Sequence, residues 1–87
     1  MPGLLWFGGR RLKRKKVNAI IKEYGYTMIK PSWFASNDGN GAIFNAYDEG
    51  GFCYSWYINW KQKRVRRQML SDVQLLKTVD MTHMFWR

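Results

Sequence analysis

The sequence predicts a small α+β domain: a three-stranded antiparallel sheet with helices packed on one face, in the order α-β-β-β-α. Three observations predict it. An apolar stripe at helical spacing stands near the start, a run of alternating large apolar residues marks a strand in the middle, and a capping pattern marks a second helix near the end. A chain of 87 residues buries only about 60% of its unfolded surface, which is room for one core. Residues 1–87 are therefore read as a single domain, with 1–11 as a flexible basic arm.

Val17, Ile20, Ile21 and Tyr24 fall at i, i+3, i+4 and i+7, and Gly25 follows, so a helix is expected over 12–24. Tyr26–Phe34 reads as a strand interrupted by Pro31. The turn-forming run Ser36–Gly41 leads into a strand over Ala42–Tyr47, and Asp48–Gly51 reads as a hairpin turn. In the third strand, Phe52–Trp60, the residues Phe52, Tyr54, Trp56, Ile58 and Trp60 alternate with smaller or more polar ones. That row is assigned to the core. The opposite face, with Tyr47, Tyr57, Asn45, Asn59, Ser55 and also Trp33, is assigned to ligand contact.

Ser71 and Gln74 fit a capping box, and Val73, Leu76 and Val79 continue a helical face, which predicts a helix over 71–79. Val65, Met69, Val73 and Leu76 also fit one longer stripe, so the helix has an alternative start near Gln62. Met84, Phe85 and Trp86 are expected to pack back on the core.

Composition excludes several classes. Hydrophobic residues make up 46% and aromatics 17%, too much for a disordered polybasic tail. Cys53 is the only cysteine and His83 the only histidine, which rules out an internal disulfide and leaves too few ligands for an ordinary zinc site. A lone Cys in a strand reads as a small core residue before it reads as a nucleophile. No apolar run approaches the length of a membrane span, and the apolar start Met1–Gly9 precedes positive charge instead of following it, the reverse of a secretory signal. A cytoplasmic protein is expected.

The 15 Lys and Arg against 6 Asp and Glu give a net charge of +9. Most of it sits in two blocks: Arg10, Arg11, Lys13, Arg14, Lys15 and Lys16, then Lys61, Lys63, Arg64, Arg66 and Arg67. The stretch between Pro31 and Trp60 holds no Lys or Arg. Positive charge on the first turn of a helix opposes the macrodipole by some tenths of a kcal/mol per residue, so folding alone does not ask for the first block. An anion of high charge density does, and nucleic acid is the commonest. The expectation is a non-enzymatic nucleic-acid-binding protein of low sequence specificity, contacting phosphates through both blocks. Trp33, Tyr47 and Tyr57 are the candidate stacking or interface residues.

No catalytic, metal or cofactor site is expected. The acids Asp38, Asp48 and Glu49 lie in turns, the Asp38–Gly41 loop lacks the terminal Glu of a calcium loop, and no phosphate-cradling glycine pattern occurs. The alternative reading is a small phage-type protein that binds and inhibits or modulates a larger host protein, such as a nucleic-acid enzyme. Contact of Leu4, Leu5, Trp6 and Phe7 with a membrane surface ranks below both. In element order, with a basic cluster leading into the last helix, residues 12–79 are similar to the double-stranded RNA-binding domain. The Gly-rich lead into its lysine cluster and its Ala-rich last helix are missing. The resemblance implies duplex binding.

Overall fold

The computed structural model describes residues 13–70 and 77–86. It corrects the expected fold class. Among the described residues there is one α-helix, α1 (Arg14–Lys22), followed by five strands, β1 (Thr27–Ala35), β2 (Gly41–Tyr47), β3 (Cys53–Asn59), β4 (Arg64–Met69) and β5 (Thr78–Asp80), and a 3-10 turn at Thr82–Met84. The strands form one antiparallel sheet in the order β1-β2-β3-β4-β5. The protein is mostly β, and the order α-β-β-β-α does not describe it.

The second basic block forms the β3–β4 turn and the start of strand β4, where a helix was an alternative. Lys, Arg, Gln and Met all favour helix intrinsically, and Val65 and Met69 are spaced for one. Pairing with β3 overrides that preference: Ile58 faces Val65 and Tyr57 faces Arg66 across the ladder. Lys63, at φ 55°, takes the left-handed conformation that reverses the chain between β3 and β4. The predicted helix over 71–79 fails where it is described, since Thr78–Asp80 is the edge strand. Its start, residues 71–76, lies outside the described residues. Without a final helix opening on a basic cluster, the likeness to the double-stranded RNA-binding domain and the duplex preference it implied both lapse.

The core occupies one face of the sheet, here called the inner face. Val17, Ile20 and Ile21 of α1 are buried against it, as the stripe requires, and Met84 and Phe85 pack back onto it. From the strands come Met28, Ala42, Phe44, Ala46, Tyr54, Trp56, Ile58 and Val65, and Trp60 joins them from the turn after β3. Each fully buried large side chain contributes about 1.5–3 kcal/mol. Trp33, Phe44 and Trp56 stack in series, with ring centres 5.6 and 5.8 Å apart. Phe52, expected in this row, stands outside it and is 56% exposed, because β3 begins only at Cys53.

Two features set how the elements meet. A bulge between Ile29 and Phe34 shifts the register of β1 against β2 around Pro31, a residue with no N–H to give the ladder and common at bulges and edge strands. Trp60 ties two turns together: its backbone N–H donates to the Asn40 carbonyl and its indole Nε1 to the Gly39 carbonyl, at 2.9 and 2.8 Å. Gly41 sits in this junction. A Cβ there would lie 2.5 Å from the Ile58 carbonyl oxygen, so only glycine fits.

Candidate nucleic-acid interface

Strand alternation puts the remaining side chains on the outer face, which no described element covers. The register aligns Phe34 with Ile43, Ile43 with Tyr57, Tyr57 with Arg66 and Arg66 with Asp80, one row across all five strands. A second row runs Ile29, Asn45, Ser55, Gln68 and Thr78. Phe34 is 66% exposed and Ile43 51%. Phe34, on the edge strand β1, and Ile43, beside it on β2, form an apolar pair that no described element covers.

Tyr57 is fixed from two sides. The Arg66 guanidinium lies over its ring, 4.9 Å from the centre, and Asn59 Nδ2 donates to its hydroxyl at 3.1 Å. Asn59 Oδ1 in turn accepts from the Gln62 backbone N–H at 2.9 Å, which joins the basic turn to the aromatic row. Ile43, Ser55, Tyr57, Arg66, Gln68 and Thr78 line a shallow groove of about 280 Å³.

The second basic block therefore divides. Lys61 and Lys63 are exposed in the β3–β4 turn, and Arg64 and Arg66 are exposed on β4. Arg67 points the other way. Its guanidinium lies 4.3 Å from the Tyr54 ring centre and 5.9 Å from that of Tyr26, and it donates to the Tyr26 hydroxyl. Arg67 is thus part of the inner packing and is withdrawn from the phosphate-contacting set.

Of the first block, Lys13, Arg14, Lys15 and Lys16 are exposed at the start of α1, where the first turn holds no acidic residue and Lys13 makes no side-chain cap. Arg10 and Arg11, and the arm 1–11, lie outside the described residues. Lys13–Lys16 and Trp33 line an open groove of about 480 Å³. Trp33 was expected beside Tyr47 and Tyr57, but the bulge in β1 reverses the alternation: Trp33 turns inward to stack on Phe44 and Phe34 turns outward.

The two basic groups share one end of the sheet. The end of β1, the start of β2, the end of β3 and the start of β4 are aligned there, with Ala35, Ala42, Ile58 and Val65 in register. Trp33 with Lys13–Lys16 stands at that end, and so do Lys61, Lys63 and Arg64. Tyr47 does not. It is outward and 41% exposed, but four positions along β2 from Ile43 it lies about 13 Å from the Tyr57 row.

Acidic groups are held locally. Asp80, at the sheet edge opposite Arg66, accepts the Thr82 N–H at 2.8 Å. Hydrogen bonds from Thr82, with the charges of Arg64 and His83 adding to them, hold its carboxyl below the ordinary value. Asp38 is likewise lowered, by the Ser36 hydroxyl and then the Asn40 N–H. Both remain charged at neutral pH.

Sequence reading missed Phe34, Ile43 and the Tyr57–Arg66 pair. Ile43 was available from the parity of Asn45 and Tyr47; Phe34 required knowing the bulge. Among the described residues no group of His, Cys, Asp and Glu is placed to hold a metal ion, and no helix is long and apolar enough to cross a membrane. The chain matches no protein-family model, no curated protein and no solved structure.

Proposed function

We propose that this protein is a non-enzymatic nucleic-acid-binding domain of low sequence specificity, holding the phosphate backbone at the end of the sheet where both basic groups stand. The observation that carries the reading is that Lys13–Lys16, beside Trp33, and Lys61, Lys63 and Arg64, in and after the β3–β4 turn, stand at the same end of the sheet. Concentrating like charge costs stability unless an anion neutralises it. Arg64 and Arg66 suit bidentate phosphate contact, while the lysines act as point charges. Such contacts position a backbone and carry no base information. A reducing, cytoplasmic setting fits the single free thiol of Cys53.

Charge reversal tests it. In gel-shift titrations against several unrelated sequences, Lys61→Glu/Lys63→Glu/Arg64→Glu should weaken binding to all of them alike, by about tenfold or more. Loss confined to one sequence, or no loss, would contradict the phosphate-positioning role.

A further inference from the structure

We infer that the nucleic acid is single-stranded, and that its bases stack on the outer row formed by Phe34, Ile43, Tyr57 and Arg66. The inference rests on the nucleic-acid reading above and adds to it which form is bound and where the bases lie.

Two properties of the outer face have to be satisfied together. It is cationic, with Arg64 and Arg66 on β4 and Lys61 and Lys63 at its end. It is also apolar in the same row, with Phe34 and Ile43 more than half exposed. A duplex presents phosphates but hides the faces of its bases, so Phe34 and Ile43 would meet only charged backbone. A single strand offers both kinds of surface: phosphates for the cations, and base faces for the rings.

The geometry suits stacking. Phe34 and Tyr57 are two strands apart, about 10 Å at ordinary sheet spacing, with Ile43 between them as an apolar floor. The Arg66 guanidinium lies over Tyr57, 4.9 Å from the ring centre, and a guanidinium plane is itself a surface on which a base stacks. The Tyr57 hydroxyl is fixed by Asn59, so this side of the row is ordered before any ligand arrives. That lowers the entropy lost on binding. Stacking of this kind tolerates any base, in keeping with low specificity.

The test is fluorescence anisotropy with two labelled probes, an oligothymidine of about 12 nucleotides and a hairpin duplex of equal charge. The single strand should bind about tenfold tighter than the duplex. Phe34→Ala should weaken single-strand binding by about 5- to 100-fold and leave duplex binding unchanged, and Tyr57→Ala should weaken single-strand binding more than duplex binding. Phe34→Trp, which keeps a ring at an exposed position, should bind the single strand as the native protein does, and duplex binding retained by Phe34→Ala shows that its loss is not misfolding. Equal binding of the two probes, or equal binding by Phe34→Ala and Phe34→Trp, would overturn the stacking row while leaving the phosphate reading intact. No binding of either probe would overturn both. Light scattering supplies the remaining outcome: a dimer that Phe34→Ala dissociates would give this face to a second copy of the chain and overturn the inference.

Discussion

The Arg67 guanidinium lies 4.3 Å from the centre of the Tyr54 ring, on the face of the sheet opposite Arg66. Neighbours in sequence, the two arginines serve different ends: one packs, the other meets solvent. Arg67→Ala removes the contacts with Tyr54 and Tyr26 and should lower unfolding stability by about 1–3 kcal/mol in denaturant titrations. Its affinity for nucleic acid should stay within about twofold of the native value. Arg66→Ala should show the reverse pattern, weakened binding with little loss of stability.

Asp48 and Tyr54 make stability fall at both ends of the pH scale. Burial pushes the Asp48 carboxyl up, but the Tyr54 hydroxyl, the N–H groups of Phe52 and Gly50, and the Arg67 charge together outweigh it and hold the pKa below the ordinary value. The unfolded chain therefore takes up this proton first as pH drops, and stability is lost below about pH 4. Tyr54 is raised, by burial first and then by its bond to Asp48 and that carboxylate's charge. Its folded form keeps the proton longer than the unfolded one, so stability is lost as pH rises past about 10. Melting temperatures measured across pH should show a plateau between these limits. Asp48→Asn should flatten the acid limb and Tyr54→Phe the alkaline one; limbs unchanged in both variants would contradict the assignment.

Gly41 admits no side chain. With a Cβ placed 2.5 Å from the Ile58 oxygen, Gly41→Ala must push β2 from β3 at the junction held by Ser36, which donates its N–H to the Gly41 carbonyl at 2.8 Å and accepts the Gly41 N–H at 3.0 Å. The expected cost is about 1–3 kcal/mol, read as a lower denaturant midpoint. Because the same junction carries Trp60 and the basic turn, binding should weaken as well.

Much of the inner face was legible in the sequence because it obeys simple periods. Val17, Ile20 and Ile21 keep a helical spacing, and Tyr54, Trp56, Ile58 and Trp60 keep a strict alternation, so their burial followed directly. The parity of β2 and β3 likewise placed Asn45, Tyr47, Ser55, Tyr57 and Asn59 on the other side. What escaped depends on long-range pairing. Residues 64–69 favour helix by composition and become a strand only because β3 offers an edge. That strand and Thr78–Asp80 turn three strands into five. In β1 the bulge around Pro31 exchanges Trp33 and Phe34 between faces, and no local pattern announces the exchange. The candidate site was thus half visible: the charges could be named, but their division between Arg66 and Arg67, and the apolar row beside them, needed the register.

The most direct test is the salt dependence of single-strand affinity, taken as the slope of log K against log salt concentration for the native protein and for Lys61→Glu/Lys63→Glu/Arg64→Glu. Single strands give a slope of about −0.7 per phosphate neutralised, so six contacts drawn from Lys13–Lys16, Lys61, Lys63, Arg64 and Arg66 should give about −4. The triple variant should be shallower by about 2. A slope near zero in the native protein, or the same slope in both proteins, would contradict phosphate binding at the shared basic end of the sheet.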